Sequence, residues 1–142
     1  MSKEQIDEMI QETTRLLLQE REAGKIWRGE LSSSAISTAV SVFALHEIDA
    51  RKYEQQIKGG IAWLQQTMYH DGTWGDSIES PSNLTATLLT YASLYAVGVK
   101  VEQTEQFLGE RFGGQTDEHI IKGVLDYYGT DLTFSVPILV MC

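Results

Sequence analysis

Residues 58–76 read KGGIAWLQQTMYHDGTWGD, and the reading of this stretch decides the fold. Its first half is the end of a helix, because Ile57, Ile61, Leu64 and Met68 recur at three- to four-residue spacing. Its second half, HDGTWGD, is a turn by composition, with two glycines and two aspartates around one tryptophan. A helix, a turn and a buried Trp are common in any protein. The intervals among Gly60, Trp63, Leu64, Gly72, Trp74 and Gly75 are more particular, and a weaker copy lies upstream.

That copy follows the first helix, which the spacing predicts from Lys3 to about Glu22. Ser2 and Gln5 have the form of a capping box, and Ile6, Met9, Ile10, Thr13, Leu16 and Leu17 form one apolar stripe. Ala23-Gly24 ends it, and Trp27 follows Gly24 in a turn. A second helix runs from about Ser34 to Ile48. Asp49 is placed to cap a third, Ala50 to about Met68, whose stripe is Tyr53, Ile57, Ile61 and Leu64. Beyond the Trp74 turn a fourth helix spans about Asn83 to Val97. Trp27 and Trp74 are 47 residues apart, and Ile36–Leu84 and Phe43–Tyr91 are each 48 apart. A repeat of two helices and a Trp-bearing turn is therefore visible, and periods of this size mark stacked helical hairpins.

A fifth helix, about Glu102 to Phe112, is stopped by Gly113-Gly114. Thr116 is placed to cap a sixth, with Asp117 and Glu118 in its first turn and Gly129 at its end. Pro137 suits the first turn of a seventh, cut short at Cys142. An apolar run that reaches the last residue implies a truncation of something longer. The expectation is an all-α chain of about seven helices forming a single domain over residues 1–142.

Net charge is −9, with 11 Lys and Arg against 20 Asp and Glu. No basic patch is available to displace counterions from a phosphate backbone, which argues against a nucleic-acid partner. No run approaches the ~18 apolar residues of a membrane span, and the polar N-terminus has no signal-peptide core. Cys142 is the single cysteine, so no internal disulfide framework exists. These features fit a cytoplasmic protein.

The Lys58–Trp74 spacing resembles the QW motif of class II terpene cyclases, the squalene–hopene cyclase family. Lys58, Gly60, Trp63, Leu64, Gly72 and Trp74 match the family pattern, whereas Met68 stands where the family has glutamine. Met68 can reach the Trp74 ring through sulfur but cannot hydrogen-bond there. Gly24 and Trp27, with Gln19 upstream, resemble a degenerate first motif. From about Leu16 to Cys142 the chain is similar, in order, to the N-terminal part of squalene–hopene and tetraprenyl-β-curcumene cyclases. The shared elements here are Gly24–Trp27, Gly72–Trp74, Asn83–Thr87, Gly113–Gly114 and Thr133–Leu139. The resemblance implies helical hairpins of an α/α barrel (α/α toroid), part of the non-catalytic barrel of a two-barrel enzyme. Family members protonate a polyprene alkene with an Asp-x-Asp-Asp motif in the other barrel, and the full-length enzymes are peripheral on membranes.

That acidic motif is missing from Asp7, Asp49, Asp71, Asp76, Asp117, Asp126 and Asp131. No DDxxD set, P-loop, dinucleotide fingerprint or nucleophile elbow occurs, and His46, His70 and His119 lack ligand spacing. No catalytic residue, cofactor or metal is expected. The chain alone should be inactive, and a polyprene substrate is a partner only of the full-length enzyme. Phe43, Tyr91, Tyr95, Tyr127, Tyr128 and Phe134 could present π faces to a cation, but helical spacing already explains them as packing residues. Trp27, Trp63 and Trp74 read as structural ties. Two functions follow: the N-terminal part of a class II triterpene or sesquarterpene cyclase, or a stand-alone helical-repeat interaction module. The codons after Cys142 discriminate between them. In either case the apolar C-terminal segment, Phe134 to Met141, is expected to drive a homo-oligomer.

Overall fold

The computed structural model describes residues 1–21, 27, 29 and 31–141, apart from the side chains of Phe134, Pro137 and Met141. Among the described residues the chain is all-helical: α1 Lys3–Gln19, α2 Ala35–Asp49, α3 Glu54–Thr67, α4 Leu84–Ala96, α5 Glu102–Phe112, α6 Asp117–Tyr128 and α7 Leu132–Met141. The one β element is an isolated bridge between Gly75 and Ser82. No described helix is long and apolar enough to cross a membrane. The chain divides into two compact units, Met1–Ser32 and Ser33–Cys142.

The first unit is α1 and the segment after it. The capping box forms as its sequence dictates: the Gln5 N–H donates to Ser2 Oγ, and the Ser2 N–H donates to Gln5 Oε1 at 2.8 Å. The helix stops at Gln19, before the Ala23-Gly24 signal; Gly24 itself lies outside the described residues. A physical cause is at hand. The Leu17 carbonyl, which a continuing helix would offer to the N–H of residue 21, accepts the Trp27 indole N–H at 2.6 Å.

The second unit is built on α2, α4 and α7. α4 and α7 contain no charged residue, and α2 has none before its last turn. A helix apolar on every side must be packed on more than one. Accordingly α2 packs on α3 and α4, α4 on α7, and α6 on both α5 and α7. The amphipathic helices α3, α5 and α6 carry the charge. One core cluster gathers Ala35, Ala39, Leu64, Trp74, Ala86 and Leu94. The other gathers Leu84, Leu88, Leu108, Val124 and Ile138. Gly60 lets α3 lie close on α2, since a Cβ there would overlap the Val42 side chain.

The three apolar helices share one opening. Ser34, Asn83 and Asp131 precede them at intervals of 49 and 48 residues, and each side chain accepts a backbone N–H, from Ser37, Ala86 and Thr133 respectively. Four residues after each stands a hydroxyl: Thr38, Thr87 and Ser135. Those of Thr87 and Ser135 donate back to the carbonyls of Asn83 and Asp131. The capped helix start of the repeat seen twice in the sequence is therefore present three times. Asn83→Ala should lower stability by about 1 kcal/mol, read as a reduced melting temperature, because the Ala86 N–H loses its 2.8 Å partner.

Three sequence expectations need correction. Asp49 does not cap the third helix. It is the last residue of α2, and its carboxylate accepts the N–H groups of Arg51 and Lys52 in a turn before α3 begins at Glu54. Thr116 occupies the N-cap position of α6, but its hydroxyl is engaged with His119 Nδ1 at 2.6 Å and caps no backbone N–H. Pro137 is the sixth residue of α7 and not in its first turn. Asp131 captures the Thr133 N–H at 3.0 Å and so starts the helix five residues before the proline.

Candidate functional site

The motif that the sequence singles out centres on the Trp turns, and the turn between α3 and α4 is closed by backbone and side chain together. Gly72 donates to the Tyr69 carbonyl at 2.9 Å in a left-handed conformation, φ +79°. Its own carbonyl accepts the buried Thr104 hydroxyl at 2.6 Å, which fixes the turn to the start of α5. Asp71 accepts from both the N–H and the hydroxyl of Thr73. Asn83 N–H donates to the Trp74 carbonyl at 3.0 Å, and the Trp74 N–H donates to the Thr87 hydroxyl at 3.2 Å.

Trp74 is 1% exposed, and its indole N–H donates to the Leu64 carbonyl at 2.9 Å. Leu64 lies in the last turn of α3, where carbonyls have no helical partner of their own. The neighbouring Trp63 carbonyl accepts the Thr67 hydroxyl at 2.9 Å. The indole thus caps the helix that leads into its own turn. Trp27 does the same to Leu17 of α1. In both cases the donor stands ten residues after the acceptor. The environments differ: Trp27 is 53% exposed, with the Arg21 guanidinium 5.0 Å from its ring centroid.

The remaining residues of the predicted motif are placed as follows. Gly60 is at the α2–α3 contact, Leu64 is fully buried, and Trp63 is half-buried against the cluster that contains Trp74. Met68 packs on that same cluster. Gln65 and Gln66 are exposed. Lys58 pairs with Glu54 at 2.6 Å on the surface, which holds the Glu54 carboxyl below its ordinary range.

No described group has the environment of a strong acid. All seven aspartates are exposed. Asp49, Asp71 and Asp131 serve turn N–H groups, and Asp76 accepts the Asn83 side-chain amide at 2.9 Å. A cleft of about 560 Å³ opens among α4, α5, α6 and α7, with Tyr91, Tyr95 and Leu108 on its wall. Its two carboxylates, Glu105 and Asp117, are half-buried and exposed, and Lys100 shares the lining. Among the described residues no three His, Cys, Asp or Glu side chains cluster to hold a metal.

The aromatic candidates do not converge. Tyr91 and Tyr95 stack at a tilt, 6.0 Å between centroids, and Tyr127 and Tyr128 meet edge to face at 4.9 Å. Tyr95 and Tyr127 are exposed, and the Arg111 guanidinium lies over the Tyr127 ring. Tyr128 is engaged with the Thr85 hydroxyl, and burial pushes its phenol above the ordinary range. Phe43 is half-buried, and the Phe134 side chain lies outside the description. The Tyr128–Thr85 pair links the end of α6 to the start of α4, a tie that helical spacing alone does not reveal.

No curated protein and no solved structure matches the chain. A protein family does: the squalene-hopene cyclase N-terminal domain matches residues 10–108, a span that begins within α1, includes both Trp turns and ends within α5. With well over half of its length matched from one Trp turn through the other, the chain belongs to the squalene-hopene cyclase N-terminal domain family.

Proposed function

We propose that this chain is a portion of the non-catalytic N-terminal barrel, an α/α toroid, of a class II triterpene or sesquarterpene cyclase. In this reading it supplies scaffold, and the proton donor comes from outside these residues. The observation that carries it is the fate of the carboxylates. Alkene protonation needs a strong acid in a dry cavity: burial alone raises a carboxyl's pKa, so partners that stabilise the carboxylate must supply the acid strength while the dry walls keep water from the cation. Every aspartate here is exposed; three accept turn N–H groups and Asp76 accepts the Asn83 amide. Trp27 and Trp74, with Gly24, Gly60, Trp63, Leu64 and Gly72, are then QW-type structural ties rather than substrate contacts. The indole bonds to Leu17 and Leu64 support that role.

The test is incubation of the purified chain with squalene and with a C35 polyprene, followed by mass spectrometry. No cyclic product is expected. A cyclised hydrocarbon or alcohol would place a proton donor within these 142 residues and overturn the reading.

A further inference from the structure

The methionines whose side chains are described, Met1, Met9 and Met68, sit in different surroundings. Met1 and Met9 are exposed in the first unit, where α1 buries no residue. Met68 is the C-cap of α3, its backbone already extended at ψ 134°. Its half-buried side chain packs on the cluster that holds Trp74 and Leu64. Met68 and Trp74 also line a cleft of about 380 Å³, together with the exposed residues Gln65, Lys100, Glu102 and Gln103. The cleft lies between the end of α3 and the start of α5, where the Thr104 hydroxyl holds the Gly72 carbonyl. The Met68 side chain therefore meets the core on one side and solvent on the other.

We propose that Met68 is an oxidation site through which hydrogen peroxide loosens the Trp74 turn. The thioether sulfur attacks one peroxide oxygen. An S–O bond forms, the O–O bond breaks and, after proton transfer, water leaves; sulfur is oxidised to the sulfoxide and the peroxide is reduced. The product replaces a flexible apolar side chain with a polar, chiral one. Its oxygen needs a hydrogen-bond donor or water, since a polar group buried without a partner is unfavourable. The buried residues of the cluster hold a single side-chain donor, the Trp74 indole, and that N–H is already given to the Leu64 carbonyl. The sulfoxide is therefore drawn out into the cleft, and Trp74 loses part of its cover. Oxidation of Met1 or Met9 uncovers no buried residue, because neither lies against a core cluster.

Graded peroxide treatment of the folded chain tests this, with each sample split between tryptic mass spectrometry and urea unfolding. Met68 is the only methionine in the tryptic peptide 59–100, and Met1, Met9 and Met141 each fall in another peptide, so fragment masses assign every added oxygen. Met68 should oxidise at a rate that does not change with urea below the unfolding transition, because the cleft gives access without global opening. The urea midpoint should fall in step with Met68 oxidation and not with that of Met1 or Met9, and the Trp74 indole proton should exchange faster. Met68→Leu keeps the size and apolar character of the side chain and should hold its midpoint through the same treatment. Should leucine weaken the fold by itself, the wild-type relation between midpoint and Met68 sulfoxide carries the same comparison. Oxidation of Met68 only in proportion to the unfolded fraction overturns the proposal. So does an unchanged midpoint once Met68 is fully oxidised, or an equal fall in the Met68→Leu variant.

Discussion

Trp74→Ala should destabilise the protein by about 3–5 kcal/mol, the range for truncating a buried large aromatic. Two losses combine. The ring leaves a cavity in the cluster of Ala35, Ala39, Leu64, Ala86 and Leu94. The Leu64 carbonyl, itself in a residue with no exposed surface, loses the indole donor at 2.9 Å. The carbonyl keeps only the long bond from the Thr67 hydroxyl at 3.4 Å, and the lost indole bond is part of the truncation cost. Trp27→Ala removes an equivalent bond to Leu17, but from a ring that is 53% exposed, so its effect should be much smaller. Urea unfolding of the two variants beside wild type measures both. Equal midpoints for Trp74→Ala and wild type would show that the ring is not the tie described here.

Gly72→Ala should be the next most damaging change, at about 2–5 kcal/mol. Left-handed backbone costs a residue with a Cβ roughly 1–2 kcal/mol, and Gly72 has φ +79°. The added carbon would also stand 2.5 Å from the Gln103 carbonyl carbon and 2.6 Å from the Thr104 nitrogen. Those are backbone atoms and cannot swing aside, so an overpacking term of roughly 1–3 kcal/mol is added. Gly113→Ala isolates the first term: its φ is +77°, and nothing lies within 4 Å of the position its Cβ would take. It should cost only the conformational share. If the two substitutions prove equally mild, the turn is not pressed against α5 as described.

Much of this fold is legible in the residues. Glu102–Phe112 with its αL glycine and the Ser2–Gln5 box are local chemistry, and each forms where its sequence places it. The misreadings at Asp49, Thr116 and Pro137 also arise locally. Each residue has the right chemistry for a cap or a first turn, but a neighbour uses the position differently. α2 runs through Asp49, His119 takes the Thr116 hydroxyl, and Asp131 starts α7 early. The third copy of the repeat was within reach, through the 48-residue spacing of Asn83 and Asp131 and the hydroxyl four residues after each. It is masked because the third hairpin has no Trp turn. Tertiary facts were out of reach: which carbonyl an indole meets, and why two tryptophans with the same bond differ so widely in exposure.

The Trp74 indole is a buried cap on α3, so its bond should break only when the second unit opens. Hydrogen exchange of the indole N–H groups, followed by ¹⁵N NMR, tests it most directly, since buried hydrogen-bonded protons exchange through large-scale opening. Three indole signals are present, one for each tryptophan. The Trp74 proton should exchange with an opening free energy equal to that of global unfolding, and the Trp27 proton far faster. A Trp74 proton that exchanges as quickly as that of Trp27 would show that the indole is not a buried cap on α3.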